Sequence, residues 1–200
     1  MTARVLFLPG AGGAAAFWHP VGARLPAACE KVYFAWPGLG DEPADPRVRG
    51  FDDLVSVVEA QLAEPCDVVA QSMGGIVAVR VALRHPDKVR RLVLVATSGG
   101  VDVARCGAAD WRDEYRREFP RASAWVTAER PDHTSEIGRI GAPTLLVWGD
   151  SDPISPVAVG EHLASLLPNA ALRVIPGGTH GMAAERPDDV APLIAAHVSP

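Results

Sequence analysis

Six short runs rich in Val, Leu and Ile recur along the chain, at residues 5–8, 32–35, 68–70, 92–96, 144–148 and 172–175. In most of these runs the apolar residues are consecutive rather than alternating, so neither face of such a strand can lie against water. Strands of this kind need cover on both sides, which the helices of a parallel α/β sheet supply. The segments between them carry a helical period. Residues 51–63 place Phe51, Leu54, Val55, Val58 and Leu62 on one face. Residues 72–84 are small and apolar almost throughout and stop before Pro86. Residues 155–167 and 188–198 complete the set, the latter after Pro187 at a helix start. The expected architecture is an open, mostly parallel six-stranded sheet with helices on both faces. The 200 residues are enough for one core and require no second one, so a single domain spanning 1–200 is expected.

One stretch breaks this rhythm. Residues 101–141 separate two strands by more than a crossover helix needs, and long insertions in compact domains are usually functional. Trp111, Tyr115 and Phe119 fall four apart there and form an aromatic stripe on one helix face. This segment is a candidate lid. Together with Trp125, the stripe is a candidate wall of a substrate pocket.

Charge narrows the partners. With 19 basic against 24 acidic residues the net charge is −5, and the basic residues are scattered, which argues against nucleic acid. Cys29, Cys66 and Cys106 are odd in number and lack C-x-x-C spacing, so they are expected as reduced, buried thiols. His19, His85, His133, His162 and His197 show no paired ligand spacing, and no metal site is expected. The N-terminal apolar run is too short for a signal-peptide core or a membrane span, which points to the cytoplasm.

The chemistry is concentrated in residues 68–75, VVAQSMGG. An apolar run ends in Ser72, with the small residues Ala70 and Gly74 two positions to either side, and a helix begins. A serine exposed on so tight a strand-to-helix turn needs small neighbours, because larger side chains collide with the adjacent strand and helix. The turn also aims a helix N-terminus, with its free N–H groups, at charge developing on a substrate.

This turn resembles the nucleophile elbow G-x-S-x-G of the α/β-hydrolase superfamily, with Ala70 in place of the first glycine. The resemblance extends to WGDSDP after the fifth run, to PGGTHGM after the sixth, and to PGLGD at 37–41, and it preserves the order Ser, Asp, His. It implies that Ser72 is the nucleophile, His180 the general base and Asp152 its orienting carboxylate. Asp150 competes for the last role, and the pattern G-x-x-D from Gly149 favours Asp152. It further implies an oxyanion hole formed by the N–H of Met73 and a second donor from the loop LPGAGG, at Ala11. Relatives often carry histidine where this chain has Pro9, so the loop must be anchored differently. The chain looks like a member lacking the family's first two strands, with a short helical lid. Gly10, Gly12 and Ala15 also satisfy the dinucleotide fingerprint G-x-G-x-x-A, but Ala35 and Trp36 stand where that fingerprint wants an acidic residue.

The expected function is therefore hydrolysis of a small or medium carboxylic ester through an acyl-enzyme, on a small-molecule substrate, with no cofactor. The same residues serve thioesters, lactones, peracid formation and carbon–carbon cleavage, since function lives in the pocket rather than the fold. A non-catalytic ligand-binding protein of the same fold is the alternative from another class. Sequence leaves the oligomeric state open.

Overall fold

The computed structural model describes residues 4–129 and 131–198; both ends of the expected domain and Arg130 lie outside the described residues. Six strands form one sheet: β1 (Arg4–Leu8), β2 (Glu30–Tyr33), β3 (Cys66–Gln71), β4 (Val89–Val95), β5 (Thr144–Gly149) and β6 (Ala170–Ile175). Their order is β2-β1-β3-β4-β5-β6, and every pairing is parallel. The helices are α1 (His19–Gly22), α2 (Phe51–Glu59), α3 (Met73–Arg84), α4 (Arg112–Glu118), α5 (Trp125–Ala128), α6 (Val157–Leu166), α7 (Met182–Glu185) and α8 (Pro187–Val198).

Strand pleating sorts the apolar residues into two cores. Leu6, Leu8, Val68, Ala70, Leu92, Leu94, Leu146 and Trp148 face α2, α3 and α6. Their neighbours Val5, Phe7, Val69, Val93, Val95, Leu145 and Val147 face α1 and α8. The central strands β3 and β5 are buried at all six positions, as continuous apolar runs demand.

The edge strands differ. β2 forms at Glu30–Tyr33, two residues before the apolar run at 32–35. It pairs only with β1, opposite Arg4, so Glu30 can stay exposed and bond Arg4 (2.9 Å). Phe34 and Trp36 have already left the strand, and their N–H groups reach Phe7 O and Gly13 O. α2 closes at Glu59, four residues before the end of its period, where the chain tightens into 3₁₀-type bonds such as Gln61 N–H to Val58 O. Of the three free cysteines only Cys66 is buried, and burial pushes its thiol up to about 11; Cys29 and Cys106 are half-buried, which corrects the expectation for those two.

The chain runs from β1 outward to β2, then back past β1 to β3. The strand order therefore reverses between β1 and β3. In open α/β sheets the crevice beyond the C-terminal strand ends at such a reversal is where ligands bind.

Candidate active site

The turn from β3 into α3 holds Ser72 at φ 51° and ψ −124°, a left-handed conformation costing a non-glycine residue about 1–3 kcal/mol. Neighbours hold it there. Ser72 N–H donates to Val95 O on β4 (3.0 Å), and Ser72 O accepts from Gly75 N–H (2.9 Å) and the Thr97 hydroxyl. Small residues are required around it: a Cβ on Gly74 would lie 2.3 Å from Pro9 O, and one on Gly75 2.3 Å from Thr97 Oγ1.

Asp152 follows β5 and His180 follows β6. The Asp152 carboxylate is fully buried, and its Oδ1 accepts the N–H groups of Ile154 (2.8 Å) and Ser155 (3.0 Å). Its Oδ2 lies 2.8 Å from His180 Nδ1, and His180 Nε2 lies 2.9 Å from Ser72 Oγ. An ionised carboxylate only accepts, so the proton between the first pair belongs to Nδ1. The lone pair is then on Nε2, facing the serine hydroxyl. Gln71, buried beside Ser72, donates from Nε2 to the backbone carbonyl of His180 (3.2 Å). Asp150 lies outside this chain of bonds; its Oδ1 accepts from Gly177 N–H (2.6 Å) and from the Ser151 hydroxyl.

The loop after β1 passes close to the serine, since a Cβ on Gly10 would come 3.1 Å from Ser72 Cβ. The N–H groups of Ala11 in that loop and of Met73 at the start of α3 have no acceptor among the described residues. Two clefts meet at Ser72 and His180. The larger, about 640 Å³, runs along Met73, Ile76, Val101, Trp111 and Val126. The smaller, about 440 Å³, runs along Ala11, Phe17, Tyr115 and Phe119. Trp111 and Ile154 border both.

The insertion carries α4, whose Trp111, Tyr115 and Phe119 rings pack in succession (5.4 and 5.1 Å between centroids). Trp125 is placed elsewhere. It packs edge-on against Phe51 (5.3 Å) and forms no part of either cleft wall. The supporting groups Thr97, Gln71 and the Ile154 and Ser155 amides carry no motif, and sequence reading missed them. Pro9, standing where the resemblance leads one to expect histidine, was the one signal that the β1 loop needed other anchors.

Among the described residues no cluster of His, Cys, Asp or Glu is placed to hold a metal, and no helix is long and apolar enough to cross a membrane. A serine hydrogen-bonded to histidine at the reversal point of a parallel sheet defines a class of hydrolase-like site. Comparison with known proteins agrees. A profile described as "Alpha/beta hydrolase family" matches residues 5–136, and one described as "alpha/beta hydrolase fold" matches 102–187. The chain belongs to the alpha/beta hydrolase family, and it is a hydrolase. It is 30% identical over 203 residues to a pimeloyl-[acyl-carrier protein] methyl ester esterase of Neisseria meningitidis, covering 78% of each chain. The protein of the same name in Chromobacterium violaceum is 28% identical, covering 81% of each. A thermophilic esterase from Thermogutta terrifontis shares the fold with a TM-score of 0.78 at 23% identity, over 97% of this chain and 88% of that one.

Proposed function

We propose that this protein is a serine esterase that cleaves a small or medium carboxylic ester through an acyl-enzyme, as one domain in which residues 101–141 act as a lid. The observation that carries the reading is the unbroken line of hydrogen bonds from Asp152 through His180 to Ser72. His180 Nε2 takes the proton of Ser72 Oγ as the oxygen attacks the ester carbonyl. Asp152 fixes the tautomer and stabilises the imidazolium that results. The unpaired N–H groups of Met73 and Ala11 receive the charge that moves onto the carbonyl oxygen, each worth on the order of 3 kcal/mol of barrier. The alcohol then leaves with the proton from His180, and water repeats the sequence to free the acid.

The two clefts support the substrate class. A bond broken at Ser72 has room on both sides, about 640 Å³ and about 440 Å³, one for the acyl group and one for the alcohol. Labelling with a fluorophosphonate, read by intact mass, tests the nucleophile: one adduct on the wild type and none on Ser72→Ala is expected. A folded wild type that takes no adduct overturns the reading. Among p-nitrophenyl acetate, butyrate and palmitate, preference for palmitate overturns the size assignment alone.

A further inference from the structure

In the loop after β1 most carbonyls are engaged. Leu8 O accepts the indole N–H of Trp18 (2.9 Å), and Pro9 O that of Trp36 (2.7 Å). Gly10 O accepts Gly13 N–H (3.1 Å). Ala11 O accepts the hydroxyl of Tyr115 (2.8 Å), which in turn accepts Gly40 N–H (2.9 Å). Gly13 O accepts Trp36 N–H (2.9 Å).

A peptide unit is planar with C=O and N–H on opposite sides, so fixing a carbonyl fixes the N–H of the next residue. The plane carrying the Ala11 N–H is set from inside the loop, by Gly13 on Gly10 O. The plane on the other side of Ala11 is set from outside, by a hydroxyl that belongs to the lid. Without it the chain can turn about Ala11 ψ, which swings Gly12 and Gly13 and so displaces the Gly13 N–H that holds Gly10 O and, through that plane, the Ala11 donor. Tyr115 is 7% exposed and sits on α4, far along the chain from the loop it holds. Its ring is clamped between Trp111 and Phe119, so the hydroxyl has little freedom to leave.

We propose that Tyr115 is a positioning residue for the oxyanion hole, through which the seating of the lid sets the aim of the Ala11 N–H. The inference rests on the reading of Ser72 as nucleophile. It makes the lid part of the catalytic geometry and not only a cover: a lid that lifts α4 releases Ala11 and lowers turnover even with substrate bound.

Tyr115→Phe keeps the ring and removes only the hydroxyl. Losing a whole oxyanion donor costs about 100- to 1,000-fold in kcat, and a loosened one less, so a fall of about 10- to 100-fold is expected. It falls on kcat for p-nitrophenyl acetate with KM within about twofold, because the donor acts only on developed charge. Inhibition by phenylboronic acid, whose adduct places an oxyanion in the hole, weakens by a similar factor. Ile137→Val is the control: it trims one buried methyl from the insertion, where Ile137 is fully buried, 22 residues along the chain from Tyr115 and with the hydroxyl intact, and should leave kcat unchanged. A folded Tyr115→Phe protein with wild-type kcat, or one altered in KM alone, overturns the proposal; so does an equal loss in Ile137→Val, which would make any packing loss in the insertion, and not the hydroxyl, the cause. A wild type that takes no fluorophosphonate overturns the nucleophile reading and this inference with it, so the two failures are distinct. Should Tyr115→Phe not fold, 3-fluorotyrosine at the two tyrosines, Tyr33 and Tyr115, gives two fluorine signals, assigned with Tyr33→Phe. Only that of Tyr115 should move when phenylboronic acid binds, and a fixed Tyr115 signal refutes the coupling.

Discussion

Replacing Asp152 by asparagine exchanges a carboxylate oxygen for an amide nitrogen and should disable the enzyme while leaving the fold intact. Asparagine has one acceptor oxygen and one donor nitrogen, so its effect depends on which faces His180. Two backbone N–H groups, from Ile154 and Ser155, converge on Oδ1. An amide nitrogen placed there would meet two donors at hydrogen-bond distance, so the side-chain oxygen must stay and the nitrogen must point at His180 Nδ1. Nδ1 then accepts, the ring proton moves to Nε2, and Ser72 faces a donor where it needs a base. The same exchange in the well-studied serine protease triad lowers kcat by about 10⁴-fold, a barrier increase of about 5 kcal/mol, and the same size is expected here. The assay is p-nitrophenyl acetate hydrolysis with intact-mass labelling by fluorophosphonate, beside a thermal melt. Asp152→Ala orphans the two amides and should melt lower than Asp152→Asn. A folded Asp152→Asn protein retaining more than about a tenth of wild-type kcat would refute the orientation argument.

Three further outcomes are expected. Burial first, and the Arg80 guanidinium second, hold the His133 imidazole below its ordinary value of 6.5, and burial does the same to His197. Because the folded form resists protonation, this stability is whole above about pH 6.5 and drains away as the pH falls below it. His133→Gln should therefore narrow the gap between urea midpoints at pH 7.5 and 5.5, and an unchanged gap would remove His133 as a source. Gly74→Ala drives a methyl to 2.3 Å from Pro9 O and 2.7 Å from Leu8 O, so the β1 loop must retreat at a cost of about 1–3 kcal/mol. A lower melting temperature with slower fluorophosphonate labelling is expected, and wild-type behaviour in both would contradict the crowding. Trp111→Ala removes an indole that borders both clefts and should raise activity on butyrate relative to acetate; a melting-point change alone would make the indole a packing residue.

The central sheet was legible because β3 and β5 are buried on both faces, and a run apolar at every position leaves no face for water. β2 was read two residues late because an edge strand with one neighbour tolerates Glu30 and Lys31, and apolarity then marks Phe34 and Trp36, which cap the sheet rather than extend it. Ser72, Asp152 and His180 could be picked out because each lies within a few residues of the C-terminal end of a strand, and parallel register brings such positions to one edge. Spacing placed Tyr115 on a helix face, but no sequence pattern says which carbonyl a hydroxyl will meet 104 residues away. Trp125 misled for a related reason: an aromatic in a lid can face the core as readily as the cleft, and Phe51 offered it a ring to pack on.

Ser72 and His180 are 108 residues apart, and β6, which carries the histidine loop, is held in the sheet by β5 alone. No earlier fragment of the chain can assemble the hydrogen-bond line, however well β1 to β5 have formed. With Ser72 as the nucleophile proposed above, a growing or refolding chain thus displays its strained serine on a finished turn while remaining chemically mute. Long-range parallel pairings are among the slower events in folding, so turnover should arrive as a late step, after most tryptophan fluorescence has recovered. Under the proposed mechanism, activity would be a clock for the docking of the last strand.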